Sequence, residues 1–190
     1  MLAFETMRIR MPAAVLAGGA SRRMGRPKAD LPYGAGTLLA HQAQRLARVF
    51  TEVFAVLKEP PHLRAGPALV LLDGSPEHAA IYGLVRALEE VQDRVFVLAV
   101  DLPVLPESLM RAIAERALAC EAMAVVPRAE GRLQPLAAVW RKAVLPAARA
   151  RIERGELSLS GLADAVGVGH ESSAREPTGS FLWSRPDRRA

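Results

Sequence analysis

The sequence contains one cysteine, no asparagine and no long apolar run. The lone thiol of Cys120 excludes an intrachain disulfide and a metal site built from clustered cysteines. No apolar segment approaches the ~20 residues that a helix needs to cross a bilayer, so we expect no transmembrane helix. Residues 1–11 lack the apolar core of a secretory signal. These absences favour a cytoplasmic protein with a single domain over residues 1–190, of which 1–11 form a flexible extension.

The chain is basic, but its positive charge is spread out. Its 190 residues carry a formal net charge of +5, and 51% of them are hydrophobic, which indicates a globular protein. Nucleic-acid binding generally needs a concentrated basic patch, whereas these charges lie along predicted helices and in the C-terminal tail. We therefore expect a solvated basic surface with neither a nucleic-acid nor a membrane partner. Only three of the 25 basic residues are lysines (Lys28, Lys58 and Lys142), which favours tasks that suit a compact point charge.

Hydrophobic periodicity predicts an alternation of strands and helices. Short apolar runs predict strands at residues 13–16, 53–57, 68–72, 94–100, 122–126 and 136–140. Apolar residues at helical spacing predict helices at 37–50, 76–90, 106–118 and 142–154. Such alternation is typical of a parallel sheet that is covered on both faces. We therefore predict a three-layer, Rossmann-like α/β fold with a mostly parallel central sheet, and the pattern weakens beyond Gly155.

A glycine-rich segment follows the first predicted strand, at the kind of strand end where such sheets bind ligands. Gly18 and Gly19 allow a sharp turn with exposed amide groups, and a hydroxyl and three cations follow: Ser21, Arg22, Arg23 and Lys28. An ordinary turn with a solvated basic segment is the simpler alternative, but this combination of residues favours a phosphate-binding loop. It fits neither the P-loop nor the dinucleotide fingerprint, because five residues separate Gly19 from Gly25 and no residue separates Gly18 from Gly19.

The segment from Leu16 to Lys28 closely resembles the signature of the molybdenum cofactor guanylyltransferases, within the glycosyltransferase-A-like nucleotidyltransferases. The family pattern Leu-Ala-Gly-Gly-x-Ser-Arg-Arg-Met-Gly-x-x-Lys is met at every fixed position. The resemblance extends over residues 12–150. It implies an enzyme that transfers GMP from GTP to the phosphate of Mo-molybdopterin and releases pyrophosphate. Cytidylyl transfer to the same pterin, a sugar-phosphate acceptor and non-catalytic nucleotide binding remain alternatives.

The resemblance also implies roles for individual residues. It assigns nucleotide binding to Leu16, Ala17, Gly18, Gly19, Ser21, Arg22, Lys28, Asp73 and Asp101. It assigns catalysis to Lys28, Arg23 and Asp101, with Asp101 as the ligand of a Mg²⁺ cofactor. A carboxylate at the C-terminal end of a strand supplies the hard oxygen that Mg²⁺ prefers. Taken alone, Asp101 could equally be a turn residue before Pro103, and Asp73 could belong to an ordinary Asp–Gly turn.

Other parts of the chain match the family less well. The family often has an asparagine after the second strand and an Asn-x-Asn-Thr-Pro-Glu-Asp motif near the C-terminus. This chain has Lys58 after the second strand and no asparagine at all. Gly83 with Leu84 corresponds to a Gly-Pro-Leu-Ala-Gly segment, and residues 132–140 resemble the segment that meets the pterin. Proteins that deliver or accept the molybdenum cofactor are a further expectation from the resemblance.

Overall fold

The computed structural model describes residues 7–18, 28–61, 64–168 and 181–183. The strands are β1 (Ile9–Leu16), β2 (Pro32–Tyr33), β3 (Gly36–Thr37), β4 (Phe50–Leu57), β5 (Leu69–Leu72), β6 (Arg94–Ala99), β7 (Ala124–Ala129), β8 (Arg132–Leu133), β9 (Ala137–Arg141) and β10 (Phe181–Trp183). The α-helices are α1 (Leu38–Val49), α2 (Ala80–Glu90), α3 (Glu107–Leu118), α4 (Leu145–Glu153) and α5 (Leu159–Ala165). No helix in this part of the chain is both long and apolar enough to cross a membrane.

The described strands form one large sheet and a small hairpin of β2 with β3. Seven strands of the large sheet follow the order β10-β7-β9-β6-β1-β4-β5, and β8 pairs with β7 outside this path. β6, β1, β4 and β5 pair in parallel, as predicted. β9 runs antiparallel to β6 and to β7 because the short β8 segment that joins β7 to β9 cannot form a crossover. The mostly parallel, Rossmann-like sheet is confirmed, with an antiparallel portion that the alternation of elements does not indicate.

Helices cover both faces of this sheet. Ala13 and Val15 of β1 pack with α1 and α3 on one face, whereas Ala14 and Leu16 pack with α2, α4 and α5 on the other. Because both faces are buried, β1 contains a continuous apolar run rather than an alternating pattern. The three-layer prediction is therefore confirmed. The C-terminal ends of β1, β4, β5 and β6 emerge together at one edge.

The predicted helices are present, with shifts at their ends. Thr37 caps α1, since its hydroxyl accepts a hydrogen bond from the Ala40 N–H at 3.1 Å. α2 begins at Ala80 rather than at residue 76, because the Glu77 N–H donates to Ser75 Oγ at 3.1 Å in a local turn. The sequence does not predict α5, which at seven residues is too short to show a clear helical period, or the strands of two or three residues.

Candidate active site

A cleft opens where β1, β5 and β6 end at the carboxyl edge of the sheet. It brings together six of the residues that the sequence predicts for the site: Leu16, Ala17, Gly18, Lys28, Asp73 and Asp101. The other four, Gly19, Ser21, Arg22 and Arg23, lie outside the described residues. Asp73 follows β5 and Asp101 follows β6, three strand positions away. Neighbouring strands lie about 4.8 Å apart, so about 14 Å separates the two ends of an elongated cleft.

Lys28 and Asp101 form the exposed end of the cleft. Lys28 Nζ lies 2.7 Å from Asp101 Oδ2, although 73 positions separate the two residues in the sequence. The Val100 N–H donates to Leu16 O at 3.1 Å, which ties the Asp101 turn to the end of β1. The Lys28 and Asp101 side chains are 38% and 50% exposed, so a ligand can reach both charges. A cation beside an anion suits a polyphosphate that arrives with a metal ion.

Two buried polar residues of α1 hold the Asp101 turn from below. Gln42 donates to the carbonyls of the two residues before Asp101, at 3.5 and 3.3 Å. Arg45 donates to Pro103 O at 2.7 Å and also to Leu105 O and to the Gln42 side chain. Burial is the main reason that the pKa of Arg45 is lowered. These contacts satisfy buried carbonyls on both sides of Asp101 and so fix the backbone that carries it.

Asp73 lines the buried end of the cleft, and Lys58 lies directly behind it. β4 and β5 pair in parallel up to Leu57 and Leu72, so the next residue of each strand emerges beside the other. Lys58 Nζ lies 2.9 Å from Asp73 Oδ1 and 3.0 Å from Ser75 O. The Ser75 N–H donates to the same Oδ1 at 3.0 Å. The Lys58 and Asp73 side chains are only 14% and 2% exposed, which makes this pair a fixed part of the fold.

Gly18 lies directly against this buried pair. A Cβ atom at this position would stand 3.2 Å from Asp73 Oδ2 and 3.4 Å from two side-chain carbons of Lys58. His78 Nδ1 lies 3.1 Å from Gly18 O and contacts the same backbone. The glycine therefore permits a close approach between backbone and side chains, in addition to the flexibility that a phosphate-binding turn requires.

Small residues of α2 and the loop before it form part of the cleft wall. Ala79, Ala80 and Gly83 line the cleft together with Leu16. A Cβ atom at Gly83 would lie 3.3 Å from Leu16 Cδ2, so the glycine permits α2 to pack closely on the end of β1. Gly83, which corresponds to the Gly-Pro-Leu-Ala-Gly segment of the family, thus borders the site.

The segment predicted to meet the acceptor contributes Leu136 to the cleft. The Ala99 N–H donates to Leu136 O at 2.9 Å, which places Leu136 beside the end of β6. Trp140, at the other end of the segment, is fully buried, and its indole N–H donates to Pro135 O at 3.1 Å. Trp140 therefore belongs to the core and does not line the cleft.

The sequence predicts no role in the site for three residues near the buried end of the cleft: Lys58, Ser75 and His78. Lys58 carried a usable signal, because it is one of only three lysines in an arginine-rich chain. Ser75 and His78 carry none, since they act through contacts with backbone or side chains that only folding brings close.

Asp101 is the candidate metal ligand. Among residues 7–18, 28–61 and 64–168, no three His, Cys, Asp or Glu side chains group closely enough to hold a metal ion by themselves. Mg²⁺ is usually bound through one or two carboxylates, with phosphate oxygens and water completing its shell. One half-exposed carboxylate in a cleft therefore fits an ion that arrives with a nucleotide.

The cleft lies within a region of the chain that is similar to known proteins. The family model described as "MobA-like NTP transferase domain" matches residues 13–167, a range that includes every described residue of the cleft. A relative from Mycobacterium tuberculosis, described as a "probable molybdenum cofactor guanylyltransferase", is 37% identical over 161 residues, which cover 82% of this chain and 80% of the relative. A relative of the same description from Carboxydothermus hydrogenoformans is 29% identical, covering 72% of this chain and 68% of its own.

The solved structure of molybdopterin-guanine dinucleotide biosynthesis protein A from Archaeoglobus fulgidus has a similar fold. It superposes with a TM-score of 0.70, covering 82% of this chain and 80% of that one, at 18% sequence identity. At that identity, the likeness establishes the fold alone.

Proposed function

The chain belongs to the MobA-like NTP transferase family, and from that premise we propose that it transfers GMP from GTP to the phosphate of Mo-molybdopterin. The description of the 37% identical relative supports the choice of base and acceptor. The observation that carries the phosphate chemistry is the Lys28–Asp101 pair, 2.7 Å apart at the end of β6 and next to the predicted phosphate-binding loop.

Direct displacement at the α-phosphorus requires no covalent bond to the protein. An acceptor phosphate oxygen forms a bond to the α-phosphorus while the bond to the bridging oxygen breaks, and that electron pair leaves with pyrophosphate. The protein therefore acts by positioning and by neutralising charge. Lys28 offsets the negative charge that grows on the leaving group, and Arg23 adds a second cation from the same loop. Gly19, Ser21 and Arg22 complete the proposed phosphate contacts.

We assign Asp101 as the ligand of Mg²⁺. When bound, the ion would polarise the phosphate oxygens and add positive charge between them. Asp101 must exchange its partner for this purpose, since its carboxylate contacts the Lys28 ammonium. Lys28 would then turn to the triphosphate. Because both side chains are substantially exposed, the exchange requires no rearrangement of the core.

We place the base at the opposite end of the cleft, against Gly18 and Asp73. A carboxylate oxygen is only an acceptor of hydrogen bonds. The edge of guanine carries an imino and an amino donor side by side, whereas adenine and cytosine place an acceptor nitrogen beside their amino group. The Asp73 carboxylate therefore favours guanine. Leu16 and Ala17 line the cleft between the two ends.

The proposed function is tested by acceptor-dependent release of pyrophosphate from GTP, CTP and ATP, each with Mg²⁺. We expect release with GTP and molybdopterin, its loss on removal of Mg²⁺, and its loss in Lys28→Ala. Lys142→Ala is the matched control, because Lys142 Nζ contacts Val91 O at 2.7 Å, away from the cleft. Turnover with CTP instead would identify a cytidylyltransferase. Nucleotide binding without any pyrophosphate release would identify a non-catalytic protein.

A further inference from the structure

Lys58 connects three parts of the molecule at the buried end of the cleft. We propose that it is a positioning residue that orients Asp73 and thereby sets which nucleobase the cleft accepts. The inference rests on the proposed function, because it takes the base to bind near Asp73. Asp73 lines the cleft, whereas Lys58 lies behind it and packs against Gly18.

The hydrogen bonds leave the two Asp73 oxygens with different tasks. Among the described residues, both donors to the carboxylate reach Oδ1: Lys58 Nζ at 2.9 Å and the Ser75 N–H at 3.0 Å. Oδ2 instead faces Gly18, where a Cβ atom would stand 3.2 Å away. Asp73 is among the residues that line the cleft. Two donors on one oxygen thus hold the carboxylate with its other oxygen against Gly18, at the wall of the cleft.

The lysine is itself held from several directions. Its ammonium donates to Ser75 O at 3.0 Å and lies 5.3 Å from the centroid of the Tyr82 ring, within the range of a cation–π contact. The Tyr82 hydroxyl donates to Glu77 Oε2 at 2.8 Å, and this hydrogen bond is the main reason that the pKa of Tyr82 is raised. Lys58 therefore links β4, the loop after β5 and the first turn of α2.

Burial makes the lysine necessary for the orientation of Asp73. A carboxylate with a side chain only 2% exposed receives little help from solvent, so it depends on its protein partners. Without the Lys58 ammonium, the Ser75 N–H would be the one donor left to Oδ1 in the part of the chain that the structure describes, and the carboxylate could rotate away from Gly18. The Lys58 ammonium, at the end of a flexible four-carbon side chain, thus determines the orientation of the Asp73 carboxylate.

Base discrimination is the property that this arrangement controls. A hydrogen bond from the base to the second Asp73 oxygen, a charged acceptor, is worth about 1.5–3 kcal/mol, which corresponds to about 10- to 150-fold. In the proposed function the phosphates bind at the other end of the cleft, which Lys28 and Asp101 line. Loss of Lys58 should therefore reduce discrimination between bases and leave affinity for the phosphates unchanged.

The test is calorimetric titration of the full chain, without acceptor, with GTP, CTP, ATP and inorganic tripolyphosphate, each with Mg²⁺. In the wild-type protein we expect a preference for one base. Lys58→Met should reduce that preference at least about tenfold, with unchanged affinity for tripolyphosphate, and Lys58→Arg should restore most of it. Lys142→Met, which removes a lysine that contacts the backbone carbonyls of Glu89 and Val91, should leave the preference unchanged.

Full discrimination in Lys58→Met would overturn the proposal, as would an equal loss of affinity for tripolyphosphate. If Lys58→Met does not fold, the double variant Lys58→Met/Asp73→Asn removes both charges, and discrimination retained in that variant would overturn the proposal as well. A wild-type preference for CTP or ATP would refute guanylyl transfer, yet the ratio between bases would still test Lys58. Absence of pyrophosphate release would likewise refute the enzyme and not the positioning role.

Discussion

The cleft has a lysine–aspartate pair at each end, and the two pairs differ in their surroundings. Lys58 and Asp73 are buried, and the Ser75 backbone contacts both of them. Lys28 and Asp101 are substantially exposed, and their mutual contact joins two loops. Removing one partner of a buried ion pair strongly destabilises a protein, because the other charge stays buried without compensation. Exposed charges exchange partners at little cost in free energy. The buried pair therefore acts as a fixed wall, and the exposed pair suits the exchange that our mechanism requires.

Replacing the exposed pair should give the largest effect on activity. Lys28→Met and Asp101→Asn should each lower turnover about 10²- to 10³-fold, since each removes a charge that stabilises the transferring phosphates. Pyrophosphate release with saturating GTP measures the loss. Glu107→Gln is the control, because Glu107 pairs with Arg48 at 2.6 Å on an exposed surface. Near-normal turnover in Lys28→Met would contradict the role of this end.

The two lysines should differ most clearly in stability. Lys58→Met leaves a buried carboxylate without its ion-pair partner and should lower the free energy of unfolding by about 3–5 kcal/mol. Lys28→Met breaks an exposed pair and should change it by no more than about 1 kcal/mol. Urea unfolding of both variants measures the difference. Equal destabilisation would show that burial does not distinguish the two ends.

Removing Arg45, which supports the Asp101 turn at the exposed end of the cleft, should have a smaller effect on activity. Arg45→Met removes the Arg45 hydrogen bonds to the carbonyls of Pro103 and Leu105, and we expect turnover to fall about tenfold through the displaced Asp101 turn. The concentration of Mg²⁺ needed for half-maximal activity should rise as well. Arg48→Met provides the control from the same helix, and an identical response in both variants would rule out specific support of this turn.

Acidification should produce the smallest effect, a loss of folding stability that arises at His41 in α1. Burial, followed by the charges of Arg45 and Arg48, lowers the pKa of His41 below its ordinary value of 6.5. The unfolded chain therefore binds the proton more readily than the folded one. The stability that His41 contributes is present above about pH 6.5 and is lost as the pH falls toward the pKa of the folded state.

Thermal midpoints of the wild type and His41→Gln, compared at about pH 7.5 and about pH 5.5, test this effect. The variant should lose less stability on acidification than the wild type. An identical pH dependence in the two proteins would show that His41 does not cause the loss of stability on acidification.

Much of the fold was predictable because its signals are local. The apolar run of β1 and the spacing of apolar residues in α1 follow directly from burial on two faces or on one. The strand directions at the end of the sheet that begins with β9 were harder to predict from the sequence. Its antiparallel direction depends on the length of the connection through β8, which periodicity does not measure.

The sequence by itself determined the family and the positions of Asp73 and Asp101 at strand ends, and it predicts the nucleotide-binding loop. These features rest on residues close together in the chain or on the general rule that ligands bind at the carboxyl edge of such sheets. Only the tertiary structure decided which charges meet. Lys58 pairs with Asp73 and Lys28 with Asp101 because the strand order places β4 beside β5 and β6 beside β1. The difference in their exposure, which separates a fixed wall from an exchangeable pair, follows from packing around each pair, and packing depends on residues that lie far apart in sequence.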